Sequence, residues 1–348
     1  MDGLSVGMLA ALVGLGGGVV MGMSVRLGDF CTLGAIESAV YGDDQTRLRM
    51  WGLALGVAIL GTFLLAEFTG LSLAQSFYHS IAWNPIASIV GGLMFGYGMA
   101  YAGNCGFSAL ARIGGGDLRA LIVVLVMAIF AGVTLGGPLA YLRERLFPQG
   151  PSDGDQGFGS LFLSLTGLSP LILAGVVALG FFIWGISYRN LRESKASVFW
   201  AVMVGLAIVS GWWGTNFLAQ DSLGGVDVQS HSFTAPLART VSYAMISTAG
   251  GLNFSIGSVV GVILGGFLGS LIKGHFRWEA CEDPQELGRQ MMGAAFMGVG
   301  GVIALGCSIG QGLTAFSTLA YSAPVTVAAI IVGAIFGLRR LVSGFQPN

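Results

Sequence analysis

The chain has 348 residues, 54% of them hydrophobic and only 9% charged, with a mean hydropathy of +0.79 and a net charge of −1. Soluble domains carry roughly 25% charged residues, so this deficit excludes an ordinary water-soluble globule. The lack of a basic balance excludes a nucleic-acid binder.

The first apolar run, residues 4–25, has no Lys or Arg before Arg26 and no clear small-residue cleavage site. It reads as a transmembrane helix rather than a removable signal. Further runs near the length that crosses a bilayer cover 50–70, 85–103, 119–140, 165–187, 197–218, 255–272, 290–306 and 322–338, which gives about nine spans. Residues 26–42, 104–116, 237–252 and 307–320 are too short or too glycine-broken to cross. They read as re-entrant half-helices, which need cover from protein or a water-filled cavity. Glycine is abundant, at 58 residues. It weakens helices in water, but in membranes it permits close helix packing and backbone breaks. The expectation is an all-α integral membrane protein forming one transmembrane domain over 1–348. Pro148, Pro151 and the run Gly150–Gly159 read as part of a flexible outer loop, 148–164, joining halves 1–147 and 165–340.

Positive charge sets orientation. With nine spans and the N-terminus outside, the inner side holds Arg26, Arg47, Arg49, Arg112, Arg119, Arg189, Arg192, Lys195, Lys273, Arg277, Arg289, Arg339 and Arg340. The outer side keeps Arg143, Arg145 and Arg239. The C-terminus then faces the cytoplasm.

The halves echo one another. Gly96 and Gly98 stand nine and seven positions before Cys105, and Gly298 and Gly300 stand nine and seven before Cys307. Gly22 stands nine before Cys31, in a weaker third copy. The Cys105 segment enters from inside and the Cys307 segment from outside, an inverted pseudo-twofold repeat. Transporters so built place the substrate near the midplane, where broken helices meet.

Three of the four cysteines thus share one place in a repeated motif. A lone membrane cysteine is usually a small apolar filler. Here each sits after a span beside glycine or a small polar residue: Cys31 with Gly34, Asn104-Cys105-Gly106, and Cys307-Ser308 with Gly310 and Gln311. Cys281 lies in a charged inner loop and is read as incidental. A zinc site is disfavoured, because no CxxC pair exists and His79, His231 and His275 lie far from the cysteines in sequence. A disulfide is not excluded by sequence. Thiols are weak donors and weak acceptors, suited to passing a soft anion along a path without trapping it. Half-helix N-termini would offset its charge. Asp29 and Glu67 are candidate intramembrane charges, with interfacial solvation the blander explanation.

At these residues the sequence resembles the YeeE/YedE family of sulfur-transport membrane proteins. The resemblance is carried by Phe30-Cys31-Thr32-Leu33-Gly34-Ala35, by the Gly103–Arg119 segment with Cys105, and most specifically by Gly306-Cys307-Ser308-Ile309-Gly310-Gln311-Gly312-Leu313-Thr314. It implies a thiosulfate importer of the bacterial inner membrane with an hourglass-like form. The path cysteines would be Cys31, Cys105 and Cys307, and a small cytoplasmic sulfur-carrier protein would receive the sulfur. Some members are linked to selenium. No P-loop or dinucleotide fingerprint occurs in a credible context, so no cofactor is expected. The alternatives are a membrane thiol enzyme carrying sulfur or selenium covalently, and a structural subunit without transport.

Overall fold

A computed structural model describes residues 5–152, 154–222, 225–280 and 283–344. Cys281 lies outside these. Among the described residues the chain is helical, with three isolated bridge pairs and no strand.

One local plan recurs four times: a long helix, a break, a short helix, then another long helix. The first unit is α1 (Val6–Leu27), α2 (Thr32–Tyr41) and α3 (Thr46–Thr69). After the short α4 (Phe77–Ser80), the second is α5 (Pro85–Ala102), α6 (Gly106–Gly114) and α7 (Leu118–Leu135). Next come α8 (Pro138–Leu146), α9 (Phe158–Thr166), α10 (Pro170–Ile186) and α11 (Arg189–Glu193). The third unit is α12 (Lys195–Asp221), α13 (Ala235–Met245) and α14 (Phe254–Lys273). The fourth is α15 (Pro284–Ile303), a π-helical segment (Gly310–Ala315) and α16 (Ser322–Gly344).

Seven helical segments are long and apolar enough to cross a membrane. The chain is a multi-pass, all-α membrane protein. Two of the nine expected spans fall outside that set. α10 is a shorter apolar helix, because Gly167 ends α9 in the left-handed region and Pro170 opens α10. α15 is less apolar, opening on Gln285, Glu286, Arg289 and Gln290.

Small residues set the packing. Gly14, Gly18 and Gly22 of α1 mesh with Gly257, Gly261 and Gly265 of α14, both at four-residue spacing. A Cβ on any of these would run into a carbonyl of the facing helix. The two helices run parallel, since Gly7 meets Leu252 and Gly22 meets Val262. α5 and α16 also run parallel, through Gly92 and Gly96 against Ala329 and Ile330.

The connector expected to be flexible is pinned. α9 occupies its end, and Pro151 and Gly157 form bridges to Ile81 and Ala320. Gln149 Nε2 donates to the Ile303 carbonyl at 3.0 Å. The Asp155 carboxylate meets His79 Nδ1, while His79 Nε2 lies 3.0 Å from Thr318 Oγ1. Partial burial pushes the Asp155 carboxyl up, but its bonds from His79 and Ser160 outweigh this and hold it below the usual carboxylate range.

Candidate functional site: a cysteine and hydroxyl path

Each of the three described cysteines sits where its helix restarts. Cys31 N-caps α2 and Cys105 N-caps α6, both in extended backbone. Cys307 directly precedes the helical stretch that leads into the π segment. Two residues earlier in each case the chain turns through the left-handed region: Asp29 at φ 54°, Gly103 at φ 73° and Leu305 at φ 58°. Only Gly103 adopts this readily. Leu305 there is strained, which marks a conformation imposed by the surrounding fold.

The thiols of Cys31 and Cys307 accept from the amides three residues on. The distances are 3.5 Å from Gly34 N and 3.3 Å from Gly310 N. The Cys105 thiol turns instead to the Ser108 hydroxyl at 3.4 Å, and Ser108 Oγ donates to Cys31 Sγ at 3.2 Å. Thr32 Oγ1 lies 4.0 Å from Cys105 Sγ and donates to Ser308 Oγ at 3.1 Å. Ser308 is the neighbour of Cys307. The short helices of three units therefore meet in one polar chain, running Cys31, Ser108, Cys105, Thr32, Ser308. Cys105 and Cys307 are buried and Cys31 is partly exposed; all three are free thiols.

The supporting residues divide. A Cβ at Gly34 would lie 2.6 Å from Arg47 Nη1, so Gly34 makes room for a guanidinium beside the Cys31 loop. A Cβ at Gly106 would press on the Met127 sulfur, and one at Gly310 on the Ser232 hydroxyl. Asn104 is buried, and its Oδ1 has no partner among the described residues. Gln311 is tied up structurally: Nε2 donates to the Ala304 carbonyl at 2.8 Å, and Oε1 accepts from Ser322 at 3.1 Å. It staples the break before Cys307.

A cavity of about 540 Å³ opens at the end of the bundle carrying loops 71–84, 148–157 and 225–234. Tyr78, Ser232, Thr234 and Gly306 line it, with Arg143 and Arg239. Tyr78 is buried, and its hydroxyl lies with that of Ser232 over Gly310. A smaller, apolar cavity of about 150 Å³ touches Thr32 and Ser308 from the side.

Asp29 and Glu67 are not drawn into the path. Asp29 faces solvent 3.9 Å from Lys273, and Glu67 is exposed. His79 belongs to the connector, His275 is exposed, and His231 bonds Ser258 through Nδ1 at 2.6 Å. Among the described residues no cluster of His, Cys, Asp or Glu is arranged to hold a metal ion. Sequence reading missed Thr32, Ser108, Tyr78 and Ser232. Its available signal was a hydroxyl within three residues after each cysteine: Thr32, Ser108 and Ser308.

Residues 27–336 match the family model described as "Sulphur transport". The chain is 26% identical to the thiosulfate transporter TsuA of Spirochaeta thermophila, over 91% of this chain and 94% of that one. It is 24% identical to the thiosulfate transporter TsuA of Escherichia coli, over 92% of each chain. A match over residues 27–336, nearly the full length, leads to one conclusion: this chain belongs to the sulphur transport family.

Proposed function

We propose that the protein imports thiosulfate across the bacterial inner membrane, handing the anion along Cys31, Cys105 and Cys307 by S–H hydrogen bonds. It acts as a transporter rather than an enzyme. The observation that carries this reading is the convergence of three broken helices, each restarting at a free thiol. Thiols bind a soft sulfur weakly enough to release it. The charge of the anion is met by amide donors at the helix restarts and by Arg47 beside Gly34. Gly34, Asn104, Gly106, Ser308 and Gly310 shape and line the route. The likeness to two thiosulfate transporters supports the substrate.

In this reading the cavity beside Tyr78 faces outward and Cys31 faces the cytoplasm, where a small sulfur-carrier protein takes the product. Halves 1–147 and 165–340 form an inverted repeat. The parallel pairing of α1 with α14 and of α5 with α16 supports that symmetry.

The test is growth of a bacterium unable to take up sulfate or thiosulfate, on thiosulfate as sole sulfur source. The wild-type chain restores growth; Cys31→Ala, Cys105→Ala and Cys307→Ala, inserted at equal levels, do not. Normal growth with all three variants would overturn the thiol path. A wild-type chain that is well inserted yet fails to transport thiosulfate would overturn the substrate.

A further inference from the structure

We propose that Ser108, Thr32 and Ser308 form the closed midpoint of the path, and that on opening they bind the oxygens of the anion while the thiols bind its sulfur. The inference rests on the transport reading above and adds residues to it.

The three hydroxyls come from three different units, one from each cysteine-bearing break. Two bonds from these hydroxyls stitch the breaks together across unit boundaries: Thr32 to Ser308 at 3.1 Å, and Ser108 to the Cys31 thiol at 3.2 Å. All three side chains are buried. The large cavity stops at Gly306, short of Cys307, and Cys31 is partly exposed on the other side. The hydroxyl cluster therefore stands between the two accessible ends. Passage between those ends along this chain of groups requires the bonds to part.

Parting them need not leave buried groups unpaired. Each hydroxyl is both donor and acceptor and rotates freely. A donor released from its neighbour finds a stronger acceptor in an anionic oxygen, since hydrogen bonds to ions are shorter and stronger than neutral ones. Thiosulfate presents both kinds of surface, oxygens at one end and a terminal sulfur at the other. The path alternates thiol and hydroxyl from Cys31 through Ser108 and Cys105 to Thr32, and closes on a second hydroxyl, Ser308. Thiols alone would leave the oxygens unmatched in a site too buried for bulk water, a costly state.

The test is initial-rate uptake of radiolabelled thiosulfate into liposomes holding the purified full chain, over a range of concentrations. Thr32→Val keeps shape and removes the hydroxyl; Thr32→Ser keeps the hydroxyl and removes the methyl. Ser108→Ala and Ser308→Ala complete the set. Thr32→Val, Ser108→Ala and Ser308→Ala are expected to raise KM about tenfold or more, and Thr32→Ser to stay within about threefold of wild type. Any loss of folded protein lowers the maximal rate and leaves KM alone, so the split separates misfolding from lost recognition. Equal KM values for Thr32→Val and Thr32→Ser would overturn the proposal, as would unchanged KM in both alanine variants. A wild-type protein that takes up no thiosulfate would instead overturn the transport reading itself.

Discussion

The breaks at the three cysteines and the break before α13 follow one plan and do different work. At Cys31, Cys105 and Cys307 a left-handed residue precedes the thiol by two positions, and the restarted helices converge. Before α13 no residue from 225 to 234 has a positive φ among those described, and the buried polar residues are Ser230, His231 and Thr234, with no cysteine among them. His231 faces away from the thiols. Its ring bonds Ser258 of α14 and abuts Gly17 of α1, and its carbonyl accepts from Thr314. Three breaks thus bring their thiols and hydroxyls together, while the fourth braces the meshed α1–α14 pair and walls the large cavity with Ser232 and Thr234. A recurring backbone plan need not carry a recurring role; the side chain at the restart decides.

Substitutions on the two kinds of break should separate activity from stability. Cys105→Ala is expected to cut thiosulfate uptake by about two orders of magnitude. It removes only a small buried group, so its melting midpoint in detergent should move by no more than a few degrees. A collapse of both together would place Cys105 with the bracing residues. His231→Ala should do the reverse. It empties a buried ring and strands the Ser258 hydroxyl, at a cost of about 2–4 kcal/mol. Thermal unfolding in detergent checks this, with KM for thiosulfate unchanged in the protein that folds. A tenfold shift in KM would put His231 on the path.

Smaller effects sharpen the backbone side of the contrast. Asp29→Gly should raise the melting midpoint by the equivalent of about 0.5–1 kcal/mol, because glycine adopts the left-handed turn without strain. Asp29→Val should lower it by about 1–2 kcal/mol. If both leave the midpoint unchanged, the turn is not held in the folded state. Thr234→Val is the mildest change. Its hydroxyl is buried without a partner among the described residues, so removing it should be neutral or stabilise by up to about 1 kcal/mol. The same exchange at Thr32, whose hydroxyl is bonded, should be destabilising. Matching melting curves for the two valine variants would erase the distinction.

Seven of the nine expected spans, the four short helical segments and the cysteine positions were legible in the sequence because they rest on local signals. Those signals are apolar length, glycine placement and a thiol at a fixed distance from two glycines. What escaped was set by tertiary contact. Nothing local marks the π-helical geometry of Gly310–Ala315, which lets Gln311 reach both Ala304 and Ser322. Ser108 looks like any helix serine until α2 brings Cys31 to it. The connector around Gly150–Gly159 has the composition of a loose loop. It is held by His79 and Thr318, which lie far from it in sequence. Gln311 read as a supporting polar residue from its place in the Cys307 motif, but nothing local showed that its amide would hold the backbone break.

The glycine mesh of α1 with α14 has a consequence for biosynthesis. α1 leaves the ribosome well before its partner exists, and until α14 is inserted a groove of three glycines faces lipid unfilled. The first helix must therefore wait in the membrane through most of translation. A chain terminated before Phe254 would keep that groove open, and quality-control proteases would meet it as an unfinished protein, however well the first two cysteine-bearing segments had already inserted.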